Sequence, residues 1–250
     1  MRRRDMRRAF GEALYRFPIR SENLAFLRRF TTGASGELIT GQDGVLQTRL
    51  LAGAARVEFS RRDAIGLEAA QTFERLTEPF AIRPDATIAP GDYTFTRVAL
   101  NGETDSSRPV YASAGVALGQ FFSGDRTDLR AFAGWRQSQH LTLEGSVRHS
   151  IVSLPIDNGD FTATTVSSSI LGAINRDVFA RALIQYDNFS RDLQANIRIN
   201  WIHTPGSDLF VVFNTAYHVG AEGEDLFDPR RDLILRDRVA IAKLTYLVLL

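Results

Sequence analysis

Along Leu193–His203 (LQANIRINWIH), apolar and polar residues alternate one for one. Leu193, Ala195, Ile197, Ile199 and Trp201 fall on one side, and Gln194, Asn196, Arg198 and Asn200 on the other. Successive side chains of an extended strand point to opposite faces, so a period of two specifies a strand with one apolar and one polar face. The pattern recurs about a dozen times along the chain. A half-buried sheet reads this way, and so does a transmembrane β-barrel whose apolar face meets lipid.

The recurring segments are 24–39, 45–59, 64–76, 92–104, 109–122, 127–137, 140–153, 161–173, 177–188, 192–203, 208–219 and 234–250. Many exceed the five or six residues of a common globular strand and reach the roughly nine to eleven that a tilted membrane strand needs. If every segment crosses, the long connections 77–91, 154–160 and 220–233 fall on one side. The other side receives short links such as Ser138–Gln139 and Thr204–Ser207. Long loops facing tight turns are an outer-membrane asymmetry. No helical βαβ unit interrupts the strands, which argues against a parallel α/β fold. The expected fold is therefore all-β: an antiparallel up-and-down transmembrane barrel of about twelve strands.

Residues 1–23 are arginine-rich, and Ala9–Phe17 alternates weakly, as a short strand or an amphipathic helix would. They are read as a basic segment or the remnant of a preceding strand, with the barrel domain at 24–250. MRRRDMRRAF lacks the apolar stretch and cleavage site of a secretory signal. The expectation is a fragment, with strands and a periplasmic domain preceding Met1.

Composition removes several classes of function. There are no cysteines, so disulfide and thiol chemistry are absent. Net charge is +1, which supplies no field for nucleic acid. All basic residues but Lys243 are arginine. No apolar run is long enough for a transmembrane helix.

The mid-strand polar residues Glu144, Arg148, Arg181, Gln185, Asn196, Arg198 and Asn200 are the candidate lumen lining. Glu144 is expected to pair with Arg148 or Arg130. Together with Asp187 it is the nearest approach to a glycosidase carboxylate pair. His140, His149, His203 and His218 form no HExxH or other ligand spacing. His149 lies on an apolar face and is the single candidate for a Ser–His dyad, without a GxSxG motif to support it. Glu222, Glu224, Asp225 and Asp228, with Arg230 and Arg231, read as a solvated, self-paired loop lacking EF-hand spacing. No cofactor or metal is expected, and the balance leans away from an enzyme.

The chain ends KLTYLVLL. Lys243, Tyr246, Val248 and Leu250 resemble the terminal insertion signal of bacterial outer-membrane barrels, although Leu250 replaces the usual aromatic. Further pieces are Leu76-Thr-Glu-Pro-Phe80, Ile88 to Phe95, Leu154-Pro155 with Gly159-Asp160-Phe161, Leu183 to Tyr186, Asn196 to Trp201 and Pro205 to Phe210. In that order they resemble the C-terminal barrel of a poorly characterised bacterial family whose longer members carry an N-terminal family-nine-type carbohydrate-binding domain. That domain is absent from this chain. The resemblance implies a Gram-negative outer-membrane location, with lipid and the barrel-assembly machinery as partners. It also implies a role as anchor or passage linked to carbohydrate. The second reading is a soluble all-β domain, such as a Greek-key sandwich, of a carbohydrate-active hydrolase.

Overall fold

A computed structural model describes residues 5–220 and 233–247. The strands are β1 (Met6–Pro18), β2 (Leu27–Gly41), β3 (Leu46–Phe59), β4 (Ala64–Leu76), β5 (Phe80–Arg83), β6 (Ala86–Ile88), β7 (Gly91–Glu103) and β8 (Val110–Phe121). They continue with β9 (Gly124–Arg136), β10 (Leu141–Ser153), β11 (Phe161–Ala173), β12 (Val178–Asp187), β13 (Asp192–Thr204), β14 (Ser207–Val219) and β15 (Leu233–Thr245). Each of the alternating segments overlaps one of the strands β2–β4 or β7–β15, with ends that differ by up to a few residues. The chain adds β1 and a small hairpin, β5–β6.

The ambiguity at Ala9–Phe17 resolves as a strand. β1 pairs with β2 along its whole length, from Met6↔Gly41 to Pro18↔Arg29. Pro18, which has no N–H, ends it.

Thirteen strands hydrogen bond in the order β1-β2-β3-β4-β7-β8-β9-β10-β11-β12-β13-β14-β15, and β5–β6 stands apart as a two-stranded sheet. Among the described residues no pair joins β1 to β15. The expected closed barrel of about twelve strands is therefore overturned. One reason is parity. In an odd-numbered meander the first and last strands run the same way, so closure would demand a parallel pair. Charge is a second reason. β1 carries Arg7, Arg8 and Arg16 against Glu12, and β15 carries Arg236, Arg238 and Lys243 against Asp237. Both edges carry an excess of basic residues, which disfavours pairing one with the other.

An open edge leaves backbone N–H and C=O groups that hydrocarbon cannot satisfy, so spanning sheets have to be closed. The outer-membrane location, the transmembrane strands and the lumen fall with the closure. The order contains no Greek-key crossover either, so the sandwich form of the second reading is corrected as well.

The chain divides into two compact units. The first comprises Met1–Asp105, Ser113–Arg130 and Ser150–Thr162. Its core is Leu76, Ile88, Val152 and Leu154, with Phe80, Ile82, Tyr93, Phe121, Phe122, Ile156 and Phe161 packed around them. The β5–β6 hairpin contributes Ile88, which is 1% exposed. Gly119 has φ +145°, and a Cβ there would lie 2.7 Å from Arg97 Cα and closer still to the Thr96 carbonyl, so only glycine fits. Just beyond it, Phe121 and Phe122 close over Phe95.

The second unit comprises Ser106–Ala112, Ala131–His149 and Ala163–Leu250. Here β12, β13, β14 and β15 pair without a break in strand order. The aliphatic face foreseen from the alternation stays largely open in both units. Ile65, Leu67, Val98 and Leu100 are about half exposed, as are Ile184, Ile199 and Trp201.

Candidate functional site

The register of β12, β13 and β14 builds a polar surface from residues far apart in sequence. Gln185 lies opposite Gln194, Leu183 opposite Asn196, and Arg181 opposite Arg198. On the far side of β13, Asn196 faces Asn214 and Gln194 faces Ala216. Ala216 in turn faces Asp237 on β15. Around them is an open cleft of about 450 Å³, lined by Leu183, Gln185, Gln194, Asn196, Arg198, Asn214 and Asp237 among others.

The centre of the cleft is held by side-chain hydrogen bonds. Arg198 Nε donates to Asn196 Oδ1 at 2.9 Å. The Asn196 amide nitrogen donates to Asn214 Oδ1. One amide thus serves as acceptor and donor together, and the Asn214 oxygen is engaged as the acceptor. Gln185, Gln194 and the Asp237 carboxylate make no side-chain hydrogen bond among the described residues. The exposed Arg181, opposite Arg198, has no acidic partner among them either. The cleft therefore offers free donors and acceptors on a preset frame.

Of the residues singled out from the sequence, Gln185, Asn196 and Arg198 line the cleft and Arg181 adjoins it by register. Asn200 shares their face, between Phe179 and Phe210. Glu144 and Arg148 lie on β10 and do not line the cleft. Glu144 does not form the expected pair with Arg148 or Arg130; it accepts a hydrogen bond from the Tyr111 hydroxyl at 2.7 Å. That bond, with burial and the carboxylate charge, raises the Tyr111 pKa above its ordinary value. Arg136 stacks over the Tyr111 ring at 4.5 Å and holds the other side of the cluster.

Asp187 ends β12, and its side chain caps the turn that follows. It accepts from the Phe189 and Ser190 amides at 3.0 Å and from the Thr165 hydroxyl at 2.8 Å. Burial pushes its pKa up, but these bonds outweigh burial and hold the carboxyl below the usual range. A carboxylate so committed is not available for acid–base work. His149 Nδ1 lies 2.8 Å from Thr164 Oγ1 rather than beside a serine. Among the described residues no three His, Cys, Asp or Glu side chains gather as a metal site.

Lys243 sits on β15 opposite Phe210, and Tyr246 is exposed. Val248 and Leu250 lie outside the described residues. So do Glu222, Glu224, Asp225, Asp228, Arg230 and Arg231.

Sequence reasoning missed Asn214 and Asp237 as cleft residues. Asn214 had a legible signal, as a lone amide within the apolar run LFVVFNTAY of β14. Asp237 had none, because it reaches the cleft only through the register of β15.

Compared with known protein families, with curated proteins and with solved structures, this chain finds no match. The resemblance to the C-terminal barrel of the carbohydrate-binding family is therefore overturned. The pieces that suggested it have local roles. Leu76, Ile88 and Leu154 are core residues. Pro205-Gly206 forms the β13–β14 turn, with Gly206 at φ +86°. With the barrel go the anchor or passage role and the lipid and barrel-assembly partners, since each rested on membrane placement.

Proposed function

We propose that this chain is an all-β binding domain whose ligand is a small molecule bearing neighbouring hydroxyl groups, held in the cleft of β12–β15. The proposal keeps the all-β domain of the second sequence reading and assigns it binding rather than hydrolysis. One observation carries it: Gln185, Gln194, Asn214, Arg198 and Asp237 converge on one cleft of about 450 Å³ with unused hydrogen-bonding capacity. A primary amide presents a donor and an acceptor side by side, which matches two adjacent hydroxyls. Arg198 adds a planar set of donors and Asp237 a pure acceptor. Small-molecule sites are concave and carry a few oriented polar groups, and this cleft has that character.

The test is titration of ¹⁵N-labelled protein with glucose, xylose, cellobiose and myo-inositol, read by amide shifts. Shifts confined to residues 183–198, 214–216 and 237 are expected, and Asn214→Ala should abolish them without altering the far-UV spectrum. No shift at these residues with any of the four probes, at concentrations up to tens of millimolar, would sink the proposal.

A further inference from the structure

We infer that two copies of this chain associate by antiparallel pairing of their β1 edges about a two-fold axis centred on Leu14. β1 is a terminal strand of the sheet order, and every one of its residues is exposed. The Ile19 amide donates to the Arg28 carbonyl at 3.1 Å. In an antiparallel ladder such inward bonding alternates along the strand. Tyr15 and Phe17 therefore bond toward β2, and Glu12, Leu14 and Arg16 turn their N–H and C=O groups outward.

Charge selects the partner and the register. With the axis at Leu14, Glu12 lies opposite Arg16 of the partner subunit, and the same pair repeats by symmetry. Neither Glu12 nor Arg16 has a partner among the described residues of its own chain. An axis at Glu12 would set glutamate on glutamate and Arg8 on arginine. An axis at Phe10 would need Arg8, which already donates from Nε to Glu37 at 2.6 Å and from Nη2 at 2.9 Å. The outward-bonding residues of the Leu14 register then meet one another, as ladder geometry requires.

The opposite face agrees. In this register Phe17 of the partner subunit lies across from Gly11, and a Cβ at Gly11 would meet nothing within 4 Å. A cross-strand aromatic fills the space a glycine leaves. Leu14, half exposed in one chain, meets its own copy on the axis.

Charge reversal tests the register. Opposite charges directly across strands stabilise and like charges destabilise, so Glu12→Arg alone or Arg16→Glu alone should weaken the dimer about tenfold. The double variant Glu12→Arg/Arg16→Glu restores both pairs and should return the dissociation constant, measured by sedimentation, to within about twofold of the wild type. The native chain has no cysteine, so Leu14→Cys should be joined copy to copy by a short bis-maleimide, whereas Ala52→Cys on β3 should not. A wild type that stays monomeric at high concentration, a double variant as weak as the singles, or a Leu14→Cys chain that does not cross-link each overturns the inference.

Discussion

Tyr111 and Gly134 are coupled tightly enough for one methyl group to test the packing of the second unit. Arg136 N–H donates to the Pro109 carbonyl at 2.7 Å, which places Gly134 opposite Tyr111, two residues along. The Tyr111 ring lies flat over that glycine. A Cβ at Gly134 would sit 2.6 Å from the Tyr111 hydroxyl oxygen and closer still to Cζ and Cε2. The ring cannot slide aside cheaply. It is 7% exposed, lies 5.7 Å from Phe132, and ends in the hydrogen bond to Glu144. Overpacking a tight site costs about 1–3 kcal/mol. If the ring swings out instead, it forfeits a bond to a charged acceptor, worth about 1.5–3 kcal/mol. Gly134→Ala should therefore cost about 3 kcal/mol by either route. In a Tyr111→Ala background the same change meets no ring. Glycine inside a strand is worse than alanine by about 0.5–1 kcal/mol, so the substitution should there be neutral or slightly stabilising. Urea unfolding of the wild type, both single variants and the double variant gives a coupling energy of about 3 kcal/mol, well outside additivity error. If Gly134→Ala costs less than about 0.5 kcal/mol, or the two changes simply add, the packing argument is wrong.

Three further outcomes follow from named contacts. Asp128 accepts from Arg97, from Arg126 Nε at 2.8 Å and from the Ser150 hydroxyl at 2.5 Å. Burial raises its pKa, and these bonds together outweigh burial and leave it lowered. A lowered folded pKa stabilises above the ordinary aspartate value near ~4, and that stability is lost as pH falls through the folded value. Asp128→Asn should cost about 2 kcal/mol at pH 7 in urea melts, and the difference from wild type should shrink toward pH 2; a difference independent of pH would refute the network. Ile88→Ala empties the centre of the first unit's core and should cost about 2–5 kcal/mol by the same melts, with a loss under about 1 kcal/mol contradicting the core. Raising pH should selectively weaken the Tyr111–Glu144 contact. A raised tyrosine pKa means its contribution is intact below the ordinary value near ~10 and is lost as pH rises through the folded pKa. Tyr111→Phe should abolish that alkaline step, as read by tyrosinate absorbance against stability.

Alternation made the strands legible and hid the edges. A period of two reports which face a side chain takes, and that is why β10 and β13 can be drawn from their residues almost to the end. It says nothing about what lies beside the outermost strand. The β5–β6 hairpin was illegible for a different reason. Four and three residues are too few to show a period, and Phe80, Ile82 and Ile88 read as apolar residues stranded in a loop. The cleft was half legible. Gln185, Asn196 and Arg198 stand out as polar residues in mid-strand, but their meeting with Asn214 and Asp237 depends on registers that only pairing defines.

The decisive residues for the architecture were the weakest signal of all. Glu12 and Arg16, spaced four apart within Ala9–Phe17, suit one face of a helix as well as one face of a strand, so β1 reads as helix as readily as strand. Without β1 the meander has an even number of strands, and its first and last members run antiparallel, ready to close. With β1 the count is thirteen, and the two terminal strands run alike. One strand therefore changes the kind of closure the chain would need, while every side-chain face stays where the alternation put it. The same charged residues that obscure β1 in the sequence also set its chemistry as an edge. Glu12 and Arg16, four positions apart on one face, are self-complementary in an antiparallel pair and mismatched in a parallel one, where in register each would meet its own kind. A parallel closure onto β15 finds Arg236, Arg238 and Lys243 instead. The edge is thus built to reject the other end of its own sheet while remaining able to accept a copy of itself.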